Sequence, residues 1–190
     1  SMLHDGRGWR ELKLLRNLLA AGCIALLLIA AIEWLLGQLS PWDRWAYPLL
    51  FVVCAGGAAT LHWWPAQDLW VRRVTVTAMN GYLVAALYLG LFWNRGSPDH
   101  YQVISNLMWV PLGYGLCFVL LRLREALLCS LMTYLVLFGP LAWLVWQGRL
   151  PAEPFDLVPV LSNNAVAQLV CLVLLLSLDR KSTRLNSSHG

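Results

Sequence analysis

Residues 22–36 read GCIALLLIAAIEWLL, and the nature of this run decides the fold. It shows no alternation of period two, so it is not a strand of a membrane barrel. Its one charged residue is Glu33. Extended back to residue 18, the run reaches the roughly twenty residues that carry a helix across about 30 Å of hydrocarbon. In that medium each backbone N–H and C=O must be paired within the segment, and a helix does this. A cleavable signal peptide fits poorly, because the run is long and Glu33 and Trp34 stand where small residues would mark cleavage.

The rest of the chain repeats the pattern. Hydrophobic residues make up 59% of the 190 and charged residues 13%, far from the roughly half and quarter of a soluble domain. Apolar blocks fall at 18–36, 45–64, 74–93, 103–121, 126–147 and 159–178. The expected fold is therefore all-α, an integral membrane bundle of six transmembrane helices with both termini cytoplasmic. It divides into a basic leader (1–17), a six-helix module (18–178) and a polar tail (179–190).

Orientation follows from the cations, which resist translocation. Arg7, Arg10, Lys13, Arg16, Arg72, Arg73, Arg122, Arg124, Arg180, Lys181 and Arg184 fall on one side, and Arg44, Arg95 and Arg149 on the other. The richer side is read as the cytoplasm. The leader's three-residue spacing from Arg7 to Arg16 sets its cations on one side of a helix, as an anchor to anionic lipid. Four cations are too narrow a surface for nucleic acid, so no nucleic-acid partner is expected.

The outer loops (37–43, 96–99 and 148–156) each carry glycine, proline and an acid. Turn chemistry explains them: Gly ends a helix, Pro fixes a dihedral and Asp caps the next start. Most of the eleven tryptophans fall at block ends, as interfacial anchors do, and only Trp109 lies well inside a span. The cysteines, Cys23, Cys54, Cys117, Cys129 and Cys171, are odd in number and lack metal-ligand spacing, which implies neither a disulfide framework nor a zinc site. His4, His62, His100 and His189 offer no facing pair for a haem. No cofactor is expected, and no Gly-rich phosphate loop, His-Glu-x-x-His or Gly-x-Ser-x-Gly signature is present.

Polar residues are costly in hydrocarbon and therefore informative. Glu33, Ser105, Asn106, Asn163, Asn164 and Gln168 gather toward the outer half of their spans. Amide and hydroxyl glue between helices accounts for them most simply. A pocket for a small polar ligand, formed by Glu33, Asn106, Asn163, Asn164 and Gln168, is the sharper alternative. Pro48, Pro111 and Pro140, with Gly56, Gly57, Gly113, Gly115 and Gly139, are expected to kink helices and let them approach closely.

The ending RKSTRLNSSHG (180–190) resembles the translated read-through of a sequencing adapter. On that reading the native chain continues past residue 179, and helix six should end near there. SPWDRWAYPLL (40–50) opening the second helix and LSNNAVAQLVCLVLLLSL (161–178) as the last resemble the N-terminal sensory region of bacterial diguanylate cyclases of the GGDEF family. The likeness covers roughly residues 10–179 and is one of architecture and texture. It implies a sensor in the bacterial inner membrane, in contact with the lipid bilayer, homodimeric through this module and a lost cytoplasmic output domain. No catalytic residue of that family lies in this chain. A histidine-kinase sensor module and a small six-helix permease stand beside this reading.

Overall fold

The computed structural model describes residues 6–93, 99–149 and 157–188, with side chains at 11–93, 99–149 and 158–178. The helices are α1 (Gly6–Leu35), α2 (Asp43–Trp63), α3 (Asp68–Phe92), α4 (His100–Leu120), α5 (Leu123–Trp146) and α6 (Leu157–Ser188), with a short 3-10 turn at Pro65–Gln67. No strand occurs among the described residues. All six helices contain segments long and apolar enough to cross a bilayer, and the fold is that of a multi-pass membrane protein. Leu27, Leu28 and Ile32 of α1 and Leu128, Leu131 and Met132 of α5 are all exposed. So dense an array of bare apolar side chains is untenable in water and ordinary in lipid.

The chain divides into two compact units, residues 1–79 and 80–190, with the boundary inside α3. In the first, α1 and α2 form an antiparallel hairpin. Its turn rests on Gly37, whose φ of +68° is the left-handed conformation that a side chain disfavours. The Gly37 N–H donates to the Trp34 carbonyl at 3.2 Å and the Gln38 N–H to that of Glu33 at 2.8 Å. These two bonds are the Schellman pattern, and they satisfy carbonyls that the helix end would otherwise orphan. Gly148, at φ +64°, ends α5 in the same way. Leu19 of α1, Gly57 of α2 and Val71 of α3 meet closely: a Cβ on Gly57 would lie 3.0 Å from Val71 Cγ1 and 3.3 Å from Leu19 Cδ1.

The starts of α2 and α4 are capped. Ser40 and Asp43 hydrogen-bond side chain to side chain, and the Asp43 N–H donates to Ser40 Oγ at 3.3 Å. Asp99 is the N-cap of α4, accepting from the Gln102 N–H at 3.2 Å. The expected capping by Asp99 is thus present, whereas at α2 Asp43 is the first helical residue and Ser40 supplies the acceptor. Asp156, Gly96, Pro98, Arg95 and Pro151 lie outside the described residues.

In the second unit α4 packs against both α5 and α6. Its buried positions, Gln102, Val103, Asn106, Leu107, Val110, Gly113, Tyr114, Cys117 and Leu120, recur every three or four residues and make one stripe. The α3 side approaches closely at Gly90 and Gly113, where added Cβ atoms would come within 3.2 Å of Val103 Cγ2 and 2.8 Å of Asn80 Oδ1.

One helix limit agrees with the sequence expectation and one differs. Residues 6–17 of the leader belong to α1, which begins at Gly6, as expected of a basic leader continuing into the first span. At the other end the α6 backbone stays helical to Ser188, past residue 179. Helix elongation adds one hydrogen bond per residue fixed and does not stop where hydropathy falls.

Candidate functional site

The feature that stands out chemically is a polar spine within the second unit. Gln102, Asn106 and Gln168 are 2, 4 and 1% exposed, and Asn80, Ser130 and Thr133 are buried with them. Polar groups at this depth cost several kcal/mol each if unpaired in hydrocarbon.

Two prolines explain where the polar groups go. Pro111 lacks the N–H that would bond the Leu107 carbonyl one turn earlier, so that carbonyl is left open. Gln168 Nε2 of α6 reaches it at 3.5 Å, while Gln168 Oε1 accepts from the Tyr114 hydroxyl at 3.0 Å. Pro140 of α5 opens the Val136 carbonyl in the same way. The Tyr88 hydroxyl of α3 donates there at 2.8 Å, with the Leu137 carbonyl at 3.2 Å. Each interrupted helix is therefore completed by a side chain from another helix. Tyr134 adds a further tie, its hydroxyl donating to the Ala165 carbonyl of α6 at 3.0 Å.

The five residues grouped as a candidate pocket have distinct fates. Gln168 is engaged on both sides of its amide. Asn106 lies in the same buried stripe, one residue before the carbonyl that Gln168 caps, and its Nδ2 finds no hydrogen-bond partner among the described residues. Asn164 donates to the Val160 carbonyl of its own helix at 2.9 Å, and Asn163 is exposed. Glu33 belongs to the first unit, buried beside α2, where it accepts from the Tyr47 hydroxyl at 2.8 Å.

Opposite the stripe, α4 carries a groove of about 470 Å³ lined by Tyr101, Ile104, Ser105, Met108 and Trp109. Trp109, singled out in the sequence as the one tryptophan inside a span, thus lines a groove, whereas Trp34, Trp45, Trp63, Trp64, Trp70, Trp93, Trp143 and Trp146 are exposed in the manner of interfacial anchors. No cluster of three or more His, Cys, Asp or Glu side chains suited to a metal occurs among the described residues.

Sequence reasoning missed Tyr88, Tyr114 and Asn80. The Asn80 Nδ2 donates to Cys117 Sγ at 3.4 Å. The legible signal was the proline: Pro111 and Pro140 each leave open the carbonyl four residues before them, and a donor from another helix fills it. Comparison with protein families, curated proteins and solved structures finds no match to this chain.

Proposed function

We propose that the chain is the membrane-embedded sensory module of a bacterial signalling protein, passing a signal received in or outside the inner membrane to a cytoplasmic output domain. Both termini are cytoplasmic in this reading, and the assembly is a homodimer. One observation carries it: the α6 side chain Gln168 both completes the proline-interrupted backbone of α4 and accepts from Tyr114. A contact of this kind ties the last helix to the polar core of α4. Its 3.5 Å arm is long for a hydrogen bond. A change in α4 that alters the gap is thereby transmitted to α6. The resemblance of residues 40–50 and 161–178 to GGDEF-family sensory regions supports a diguanylate cyclase as the output, condensing two GTP into cyclic di-GMP. A histidine kinase would use the same coupling.

The test begins with the intact genomic locus. An in-frame cytoplasmic domain in place of residues 180–190 supports the proposal, and its type separates cyclase from kinase. An authentic stop codon after Gly190 overturns it in favour of a free-standing membrane protein. In the full-length protein, Gln168→Leu should change output, read as cyclic di-GMP formed or phosphoryl transfer, by at least about fivefold, the low end of a typical coupling between sites. An unchanged output would refute coupling through α6.

A further inference from the structure

The cysteines, scattered in sequence, do not stay scattered in the fold. All five are free thiols, yet four of them meet in pairs across antiparallel hairpins. The Cys23 thiol of α1 neighbours that of Cys54 of α2, and the Cys117 thiol of α4 neighbours that of Cys129 of α5. The two pairs differ in setting. Cys117 is fully buried and already accepts from Asn80 Nδ2, whereas Cys23 and Cys54 are both half-buried.

The first pair also has a place made for it. A Cβ on Gly22 would lie 3.3 Å from Cys54 Sγ, so a residue larger than glycine would crowd the sulfur resting beside Cys23. In depth the pair lies within the apolar blocks: Cys23 falls five residues into the block 18–36, and Cys54 sits at the middle of 45–64.

We propose that Cys23 and Cys54 are a redox-active dithiol within the apolar spans of the first hairpin, oxidised to an interhelical disulfide by a lipid-dissolved quinone. The chemistry balances: two S–H bonds break, one S–S bond forms, and both electrons and both protons pass to the quinone, which leaves as hydroquinone. The depth selects this chemistry. A monovalent soft cation such as Cu(I) held by two thiolates would strand a net negative charge in hydrocarbon, which is costly. A disulfide and a hydroquinone are both neutral. The depth also selects the oxidant, because an acceptor reaching a half-buried thiol within the hydrocarbon must be soluble in the acyl chains. Closure needs the sulfurs to come to about 2.05 Å with Cα atoms about 4.4–6.8 Å apart, and Gly22 lets the Cys54 sulfur rest against α1 one residue from Cys23. The proposal is independent of any output domain.

The test uses the full chain in liposomes with a fully substituted benzoquinone bearing a short alkyl tail. Thiols are counted by mass-tagged maleimide after denaturation, and linked peptides are mapped by mass spectrometry. The expected result is a fall from five titratable thiols to three, a Cys23–Cys54 linked peptide, and recovery of both thiols with dithiothreitol. In Cys23→Ala and in Cys54→Ala the four remaining thiols should stay reduced. Five thiols surviving the quinone overturn the proposal, even where copper-phenanthroline forms the bridge. A linkage at Cys117–Cys129, or between two copies, overturns it as well.

Discussion

Gly113 shows what a single residue decides here. An added Cβ would lie 2.8 Å from Asn80 Oδ1 and 3.0 Å from Leu83 Cδ1, distances at which something must move. Leu83 is fully buried and Asn80 is held to Cys117, so neither yields easily. Gly113→Val should destabilise the second unit by about 1–3 kcal/mol, the usual cost of overpacking. Gly115→Ala, two residues on, meets nothing within 4 Å and should be neutral or stabilising by up to about 1 kcal/mol, since Gly is a poor helix former. Thermal unfolding of both variants in detergent checks the contrast, and equal midpoints would show that the close approach is absent. In the sequence these two glycines are indistinguishable, as are Gly56, which is open, and Gly57, which is crowded by Val71. The difference arises from the rotation of a neighbouring helix, and local composition does not encode it. The same holds for Gln168. Its polarity marked it as significant, but the Leu107 carbonyl it completes lies 61 residues away.

At the scale of the helices, existence was legible and ends were less so. All six apolar blocks are helices, because a run of about twenty apolar residues has one way to satisfy its backbone in lipid. The limits of α1 and α6 were not visible in hydropathy, which reports where lipid ends and not where backbone hydrogen bonding does. Caps fared better, since their chemistry is local. Ser40-x-x-Asp43 is a capping-box spacing with Asp in the role usually taken by Glu. The structure forms the bond from the Asp43 N–H to Ser40 Oγ and adds one from the Ser40 hydroxyl to the Asp43 carboxylate, with the two side chains buried. Ser40→Ala removes the acceptor for the Asp43 N–H and the hydroxyl bonded to the Asp43 carboxylate, and should cost about 1 kcal/mol. The loss should appear as a lower unfolding midpoint together with faster amide exchange in the first turn of α2. Ser40→Asn, which restores an acceptor, should recover most of it. Faster exchange in neither variant would mean that the cap contributes nothing to the start of this helix.

For the whole molecule, the informative quantity is the distribution of cations. Arg72 meets Glu11 at 3.8 Å and Asp68 at 3.5 Å, both exposed or half-exposed carboxylates, and such pairs are worth at most about 1 kcal/mol. Lys13 and Arg16 of α1 are exposed, as are Arg44 and Arg149 on the sparse side. These charges therefore act chiefly on how the chain inserts, where positive residues near span ends resist translocation and acidic ones count for little. With an even number of spans, both termini and the connections after α2 and α4 must share one side. Reporter fusions after Arg16, Arg73, Arg124 and Arg180 should all report cytoplasm, and fusions within 37–43, 94–99 and 148–156 should report the outside. Replacing Arg7, Arg10, Lys13 and Arg16 together by Gln weakens the leader's share of the bias while Arg72, Arg73, Arg122 and Arg124 remain, so the topology should persist with reduced insertion efficiency. An external signal after Arg180 would require an odd number of crossings. It would detach α6 from any cytoplasmic partner, and the transducer reading would fall with it.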